Sequence, residues 1–211
     1  MRVYSFILIL LSLSACGQSK TNSVNTKTDT TPKNVKTIPF ETEKNITDHL
    51  PTIDKAHPNA KKLMNETFYF DPVDETAPFG NNDGADAYLR FYEWRQAHKN
   101  KTPGEFLAEL IHKWNYPAFD INETDLSKLK PYLQQRDLGS RLMSGIDAGI
   151  VAIAFGQLYL EGTIDKDFKE TAKTAIRRQL IPELLALWGD PYKQERKSKL
   201  NKMLTALNKT I

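Results

Sequence analysis

The chain has 211 residues, with 29 basic against 26 acidic side chains, a formal net charge of +3 at neutral pH and one cysteine. So even a balance gives no global argument for nucleic-acid binding, and none is expected. A lone cysteine excludes a disulfide framework and a thiolate metal site, so stability has to come from an apolar core.

The first element is a targeting segment. Arg2 is its positive end, and the run Phe6-Ile7-Leu8-Ile9-Leu10-Leu11 is too short to span a bilayer. Small residues then lead into Cys16. The stretch Leu13-Ser14-Ala15-Cys16 resembles the lipobox of bacterial lipoproteins. That resemblance implies cleavage before Cys16, acylation of its thiol, and a lipid bilayer as the partner of the lipidated cysteine. The competing reading is a lone thiol in an ordinary secretory signal. Gly17 follows, with no Asp beside the cysteine. By the same resemblance, the protein sorts to the outer membrane of a diderm cell, or to the outer face of the plasma membrane in a monoderm. Sequons such as Asn122-Glu123-Thr124 are then expected to carry no glycan.

Residues 18–37 are rich in Thr, Asn, Ser and Lys and nearly devoid of apolar side chains, so they cannot bury enough surface to offset ordering. A flexible tether of that length reaches on the order of 25 Å from the membrane. The expected division is a signal peptide over 1–15, the lipidated cysteine and tether over 16–51, and one folded domain over 52–211.

Beyond the tether the apolar periodicity is helical. The spacing of Ala85, Tyr88, Leu89 and Tyr92 predicts a helix after Asp83, with Phe91 and Trp94 on a neighbouring face. Thr102-Pro103-Gly104-Glu105 is a capping box ahead of Phe106, Leu107, Leu110, Ile111 and Trp114. Residues 124–138 read as one helix, bent or restarted at Pro131. The longest apolar stretch, about 141–160, carries Gly145, Gly149, Ala152 and Gly156 three or four apart and is the expected central helix. Arg141, Asp147, Gln157 and Glu161 rule out a membrane span there. Gly162 suits a helix C-terminus and Asp165 the next N-cap. Further helices follow through Ile176 and Leu180, after Pro182, and from Tyr192. In the last, Leu200, Met203, Leu204 and Leu207 share one face. Its Lys193, Arg196, Lys197, Lys199 and Lys202 read as a solvated face, or one that touches anionic lipid headgroups. The expected fold is all-α, a single domain of about six to seven packed helices, with a short strand or hairpin at Phe68-Tyr69-Phe70.

The densest polar patch is Asp71-Pro72-Val73-Asp74-Glu75-Thr76-Ala77-Pro78-Phe79-Gly80-Asn81-Asn82-Asp83-Gly84-Ala85-Asp86. An EF-hand register that places Gly84 at position 6 puts Phe79 at position 1 and Arg90 at position 12, which removes two ligands. In the structural reading Asp83 is an N-cap, Asp86 favours the helix N-terminus, and Phe79 plugs the core. In the functional reading Asp74, Glu75, Phe79, Asn81, Asn82, Asp83, Asp86 and Tyr92 form a binding surface. Together with His57-Pro58, Phe68-Tyr69-Phe70, Leu160-Glu161-Gly162 and Arg177-Arg178-Gln179, this patch resembles the uncharacterised YfeS-like bacterial proteins. The resemblance covers most of residues 52–211 and transfers no activity.

Catalytic motifs are weak. Glu109-Leu110-Ile111-His112 has di-iron helix spacing but no second copy. Ser127-Lys128-Leu129-Lys130 matches Ser-x-x-Lys without the elements that accompany it in penicillin-binding enzymes. Asp147, inside the apolar helix, is expected to pair with Arg141, Arg177, Arg178 or a backbone group. No cofactor, metal or catalytic residue is assigned. The reading is a membrane-anchored envelope lipoprotein that binds a protein partner, with immunity-type capture of a toxin as one version. The alternative is an envelope hydrolase that uses Asp74, Asp83 or Asp86 with His57 or Asp147.

Overall fold

A fourteen-residue segment with one charge has to be covered on every side, and the rest of the chain does that covering. The computed structural model describes residues 49–116, 118–135 and 141–210, with backbone only for 142–144, all within the compact unit 41–211. Cys16, the signal and the tether up to residue 48 lie outside the described residues. The described elements in chain order are α1 (Pro58–Leu63), α2 (Asn82–Ala97), α3 (Pro103–Lys113), α4 (Leu126–Leu133), α5 (Ala148–Glu161), α6 (Lys166–Gln179), the single-turn α7 (Pro182–Leu185) and α8 (Tyr192–Lys209). The described part is all helical, as the periodicity predicts.

The axis is α5, in which twelve of fourteen residues are buried. Helix α2 packs along it most extensively, α6, α3 and α1 cover its other sides, and α8 docks on α6. Ile150, Val151, Ile153, Phe155, Leu158 and Tyr159 are all buried, each contributing about 1.5–3 kcal/mol before the entropy of ordering is charged. Gly156 permits the close approach of α2, because a Cβ there would lie 2.8 Å from Tyr88 Cδ2. The helix ends at Gly162 in the left-handed conformation, as expected for a helix stop.

A wider π turn, Leu142–Asp147, leads into α5 and leaves Asp147 fully buried at its end. Its partner is Arg178 of α6, also fully buried, at 2.5 Å. The same guanidinium donates from Nη1 to the carbonyls of Ile121 and Glu123 and lies over the Phe119 ring. One side chain thereby ties α6, the start of α5 and the loop after α3 together. Burial pushes the Asp147 carboxyl up to about 6, while Arg178 opposes the shift.

Two expectations are corrected. Phe68-Tyr69-Phe70 is not a strand but part of a 3₁₀ turn, Thr67–Phe70. A strand would send Tyr69 to the face opposite Phe68, whereas both are buried in one core, with Tyr69 against Phe155. The N-cap of α2 is Asn81, whose Oδ1 accepts from Gly84 N at 2.7 Å, and Asp83 sits within the first turn. Of the helix expected over 124–138, the described part is α4, with Pro131 inside it, and residues 136–138 lie outside the described residues. Asp125 caps its start, and Thr102 and Glu105 form the expected capping box on α3.

Candidate binding site

The acidic patch is a chain of local turns before it is a surface. The Asp71 carboxylate accepts from Val73 N at 3.0 Å and that of Asp74 from Thr76 N at 2.9 Å, the side-chain-to-backbone turns that short acidic residues favour. Ala77, Pro78 and Phe79 then turn inward, and Phe79 packs on Tyr88 with ring centroids 4.9 Å apart. Gly80 closes the loop, since a Cβ there would meet the Asp74 carbonyl oxygen at 2.0 Å. Phe79 is therefore a core plug with no face to offer a partner.

The patch divides in two. Asp83 and Asp86 lie on α2 and turn toward the segment after α3. Asp86 pairs with Arg90 at 2.7 Å and accepts from Trp114 Nε1 at 3.2 Å. Burial raises the Asp83 carboxyl pKa; Arg141 opposes the shift and Asp86 adds to it. The N-terminal half faces α8 instead. Asp74 pairs with Lys199 at 2.5 Å, and Lys199 also pairs with Glu195. The Thr76 hydroxyl accepts from Arg196 Nη1 at 3.3 Å. Asn81 is spent on capping, Asn82 is exposed, and Tyr92 is half-buried beside His49 and Tyr88.

Between the loop and α8 lies a cleft of about 560 Å³, lined by Asp71, Val73, Asp74, Glu75, Trp188 and Tyr192 among others. That volume is in the range of small-ligand sites. Val73 and Tyr192 on its rim are 81% and 69% exposed. Arg196 lines both the cleft and a smaller inner recess of about 40 Å³.

Arg196 is the unusual group. Only 5% of it is exposed, and its guanidinium stacks 3.7 Å from the Trp188 ring centroid. Such a contact contributes up to about 2 kcal/mol when desolvated. Its other partners are neutral: Nη2 donates to Gln179 Oε1 at 2.6 Å, Nη1 meets Thr76, and the buried Nε–H has no hydrogen-bond partner. Burial lowers its pKa to about 10, with Glu75, Asp147 and Asp74 partly offsetting, so it is cationic at neutral pH. A buried guanidinium without a carboxylate partner costs several kcal/mol in desolvation, which the Trp188 stack only partly offsets.

This overturns the solvated-face reading of α8 for Arg196. The signal was in the sequence: residues 196, 200, 203 and 207 are spaced 4, 3 and 4, so Arg196 continues the apolar stripe. Trp188 and Tyr192, read only as helix residues, had no site role. The hydrolase residues have separate partners: His57 caps α1 by accepting from Asn59 N, Asp147 is held by Arg178, and Asp74 by Lys199. Among the described residues no group of three or more His, Cys, Asp or Glu side chains could hold a metal ion. No helix among them is long and apolar enough to cross a membrane.

No family model matches the sequence and no solved structure matches it. The chain is similar to the uncharacterised protein YfeS of Escherichia coli (strain K12), 26% identical over 144 residues. The match covers 64% of this chain and 54% of that protein, so the chain spans about half the length of the curated relative it matches.

Proposed function

We propose that this protein is a lipid-anchored binding module of the cell envelope, a member of the YfeS-like family placed outside the cytoplasm by an acylated Cys16. Its work is capture, and its binding site is the cleft between residues 71–76 and α8. The observation that carries the reading is Arg196, a buried cation with neutral hydrogen-bond partners on the wall of an open cleft whose rim shows Val73 and Tyr192. Groups held at such cost in an accessible pocket are characteristic of ligand sites. The anchor rests on Leu13-Ser14-Ala15-Cys16. Outer-membrane sorting follows from Gly17 in a diderm cell, and immunity-type capture of a secreted toxin is the version that a neighbouring toxin gene would support.

The test is in-cell photo-crosslinking from a benzoylphenylalanine placed at Tyr192, with the same probe at exposed Lys130 as control. A product from Tyr192 alone supports the reading, and equal labelling from both sites removes it. Labelled palmitate incorporation that survives Cys16→Ser would remove the anchor.

A further inference from the structure

The cleft holds charges of both signs. Arg196 lies deep and stacked on Trp188, and its Nε–H is unpartnered. Glu75 is exposed on the loop, and no ion pair engages its carboxylate among the described residues. Asp71 spends one carboxylate oxygen on Val73 N, and the 60% exposed Glu195 shares Lys199 with Asp74. The cleft thus carries both signs, with Asp71, Glu75, Glu195 and Lys199 around it and Arg196 in its wall, Glu75 reaching the inner recess as well, and Val73, Trp188 and Tyr192 supplying apolar surface.

A simple anion would be repelled by the carboxylates, and a simple cation would meet Arg196 at the wall. A ligand with both charges, separated by an apolar stretch, matches the whole cleft. We infer that the cleft takes a short peptide with free termini, its carboxylate on Arg196, its ammonium on Glu75, and an apolar side chain between Trp188, Tyr192 and Val73. The guanidinium suits a carboxylate because Nη1 and Nη2 each keep a second N–H beside those given to Thr76 and Gln179. The volume of about 560 Å³ limits the ligand to a few residues. This inference rests on the cleft being the binding site.

The experiment is calorimetric titration of the full lipidated protein in detergent with the dipeptides Ala-Ala, Ala-Leu and Ala-Phe. Each is also supplied N-acetylated and C-amidated. Free Ala-Leu and Ala-Phe are expected to bind better than Ala-Ala. Amidation should weaken binding on the order of 10-fold or more, as loss of a charge-assisted contact implies. Acetylation should weaken it less, because Glu75 is solvated. Glu75→Gln, an exposed change, should erase the difference between free and acetylated peptides while leaving the effect of amidation intact. Equal binding of free and amidated peptides overturns the inference, as does no binding at millimolar concentration. Should peptides fail while Tyr192 alone still crosslinks a partner, the inference falls and the binding-module reading stands. If both fail, both fall.

Discussion

Arg178→Met tests the claim that one buried ion pair holds three segments of the fold together. Arg178 and Asp147 are both fully buried, with contacts of 2.5 Å from Nη2 and 3.1 Å from Nε. Methionine fills most of the volume but strands the Asp147 carboxylate and withdraws the donor from the Ile121 and Glu123 carbonyls. Breaking a buried pair in this way costs about 3–5 kcal/mol, and the two part-exposed carbonyls add about 1 kcal/mol. With a urea slope near 2 kcal/mol per molar, the midpoint should fall by about 2–3 M. The pH dependence gives a second handle. Burial already raises Asp147 above its unfolded value of 3.8, and losing Arg178 raises it further. A group raised in the folded state stabilises below the unfolded pKa, and that contribution is lost as pH climbs through the folded one. The deficit of Arg178→Met should therefore be smaller at about pH 5.5 than at about pH 8. Adding Asp147→Leu should recover most of the loss, since an apolar pair needs no counter-charge. Urea unfolding of all three proteins at both pH values is the assay. A single-variant loss below about 1 kcal/mol, or one that does not change with pH, would refute the reasoning.

Gly156→Ala should destabilise by about 1–3 kcal/mol, because its methyl meets the Tyr88 ring at 2.8 Å. A thermal melt reads this as about 2–4 °C per kcal/mol. Thr102→Ala removes the acceptor for Glu105 N and should cost about 1 kcal/mol by the same melt, with a further loss when Glu105→Ala is added, since the Glu105 carboxylate separately accepts from the Thr102 backbone N–H. Lys199→Met frees Asp74 and should cost about 1–2 kcal/mol. Hydrogen exchange should speed up at the amides of Thr76 and Ala77, which the Asp74 turn holds, and leave α5 unchanged.

The helices were legible because their signals are local. The capping box at Thr102, the Pro182 start, Gly162 and the small residues of α5 each constrain a few neighbouring positions, and each holds in the structure. The cleft was not legible, because its walls are distant in sequence: Arg196 and Thr76 are 120 residues apart. The sixteen-residue stretch 71–86 read as one acidic surface, yet the fold spends Asp71 and Asp74 on turns, points Asp86 at Trp114 and buries Phe79. Arg196 was hidden among four lysines, and only its register with Leu200, Met203 and Leu207 marked it as inward-facing. The sequence left three arginines or a backbone group as the Asp147 partner, and the packing of α5 on α6 settles it as Arg178.

The chain has three tryptophans, and only Trp188 lines the cleft. Fluorine NMR of the 5-fluorotryptophan-labelled protein, assigned with Trp188→Phe, therefore shows directly where a ligand binds. On titration with Ala-Leu or with an envelope extract, the Trp188 resonance should move while those of Trp94 and Trp114 stay. A Trp188 resonance that stays fixed while either of the others shifts would contradict the assignment of the cleft as the binding site.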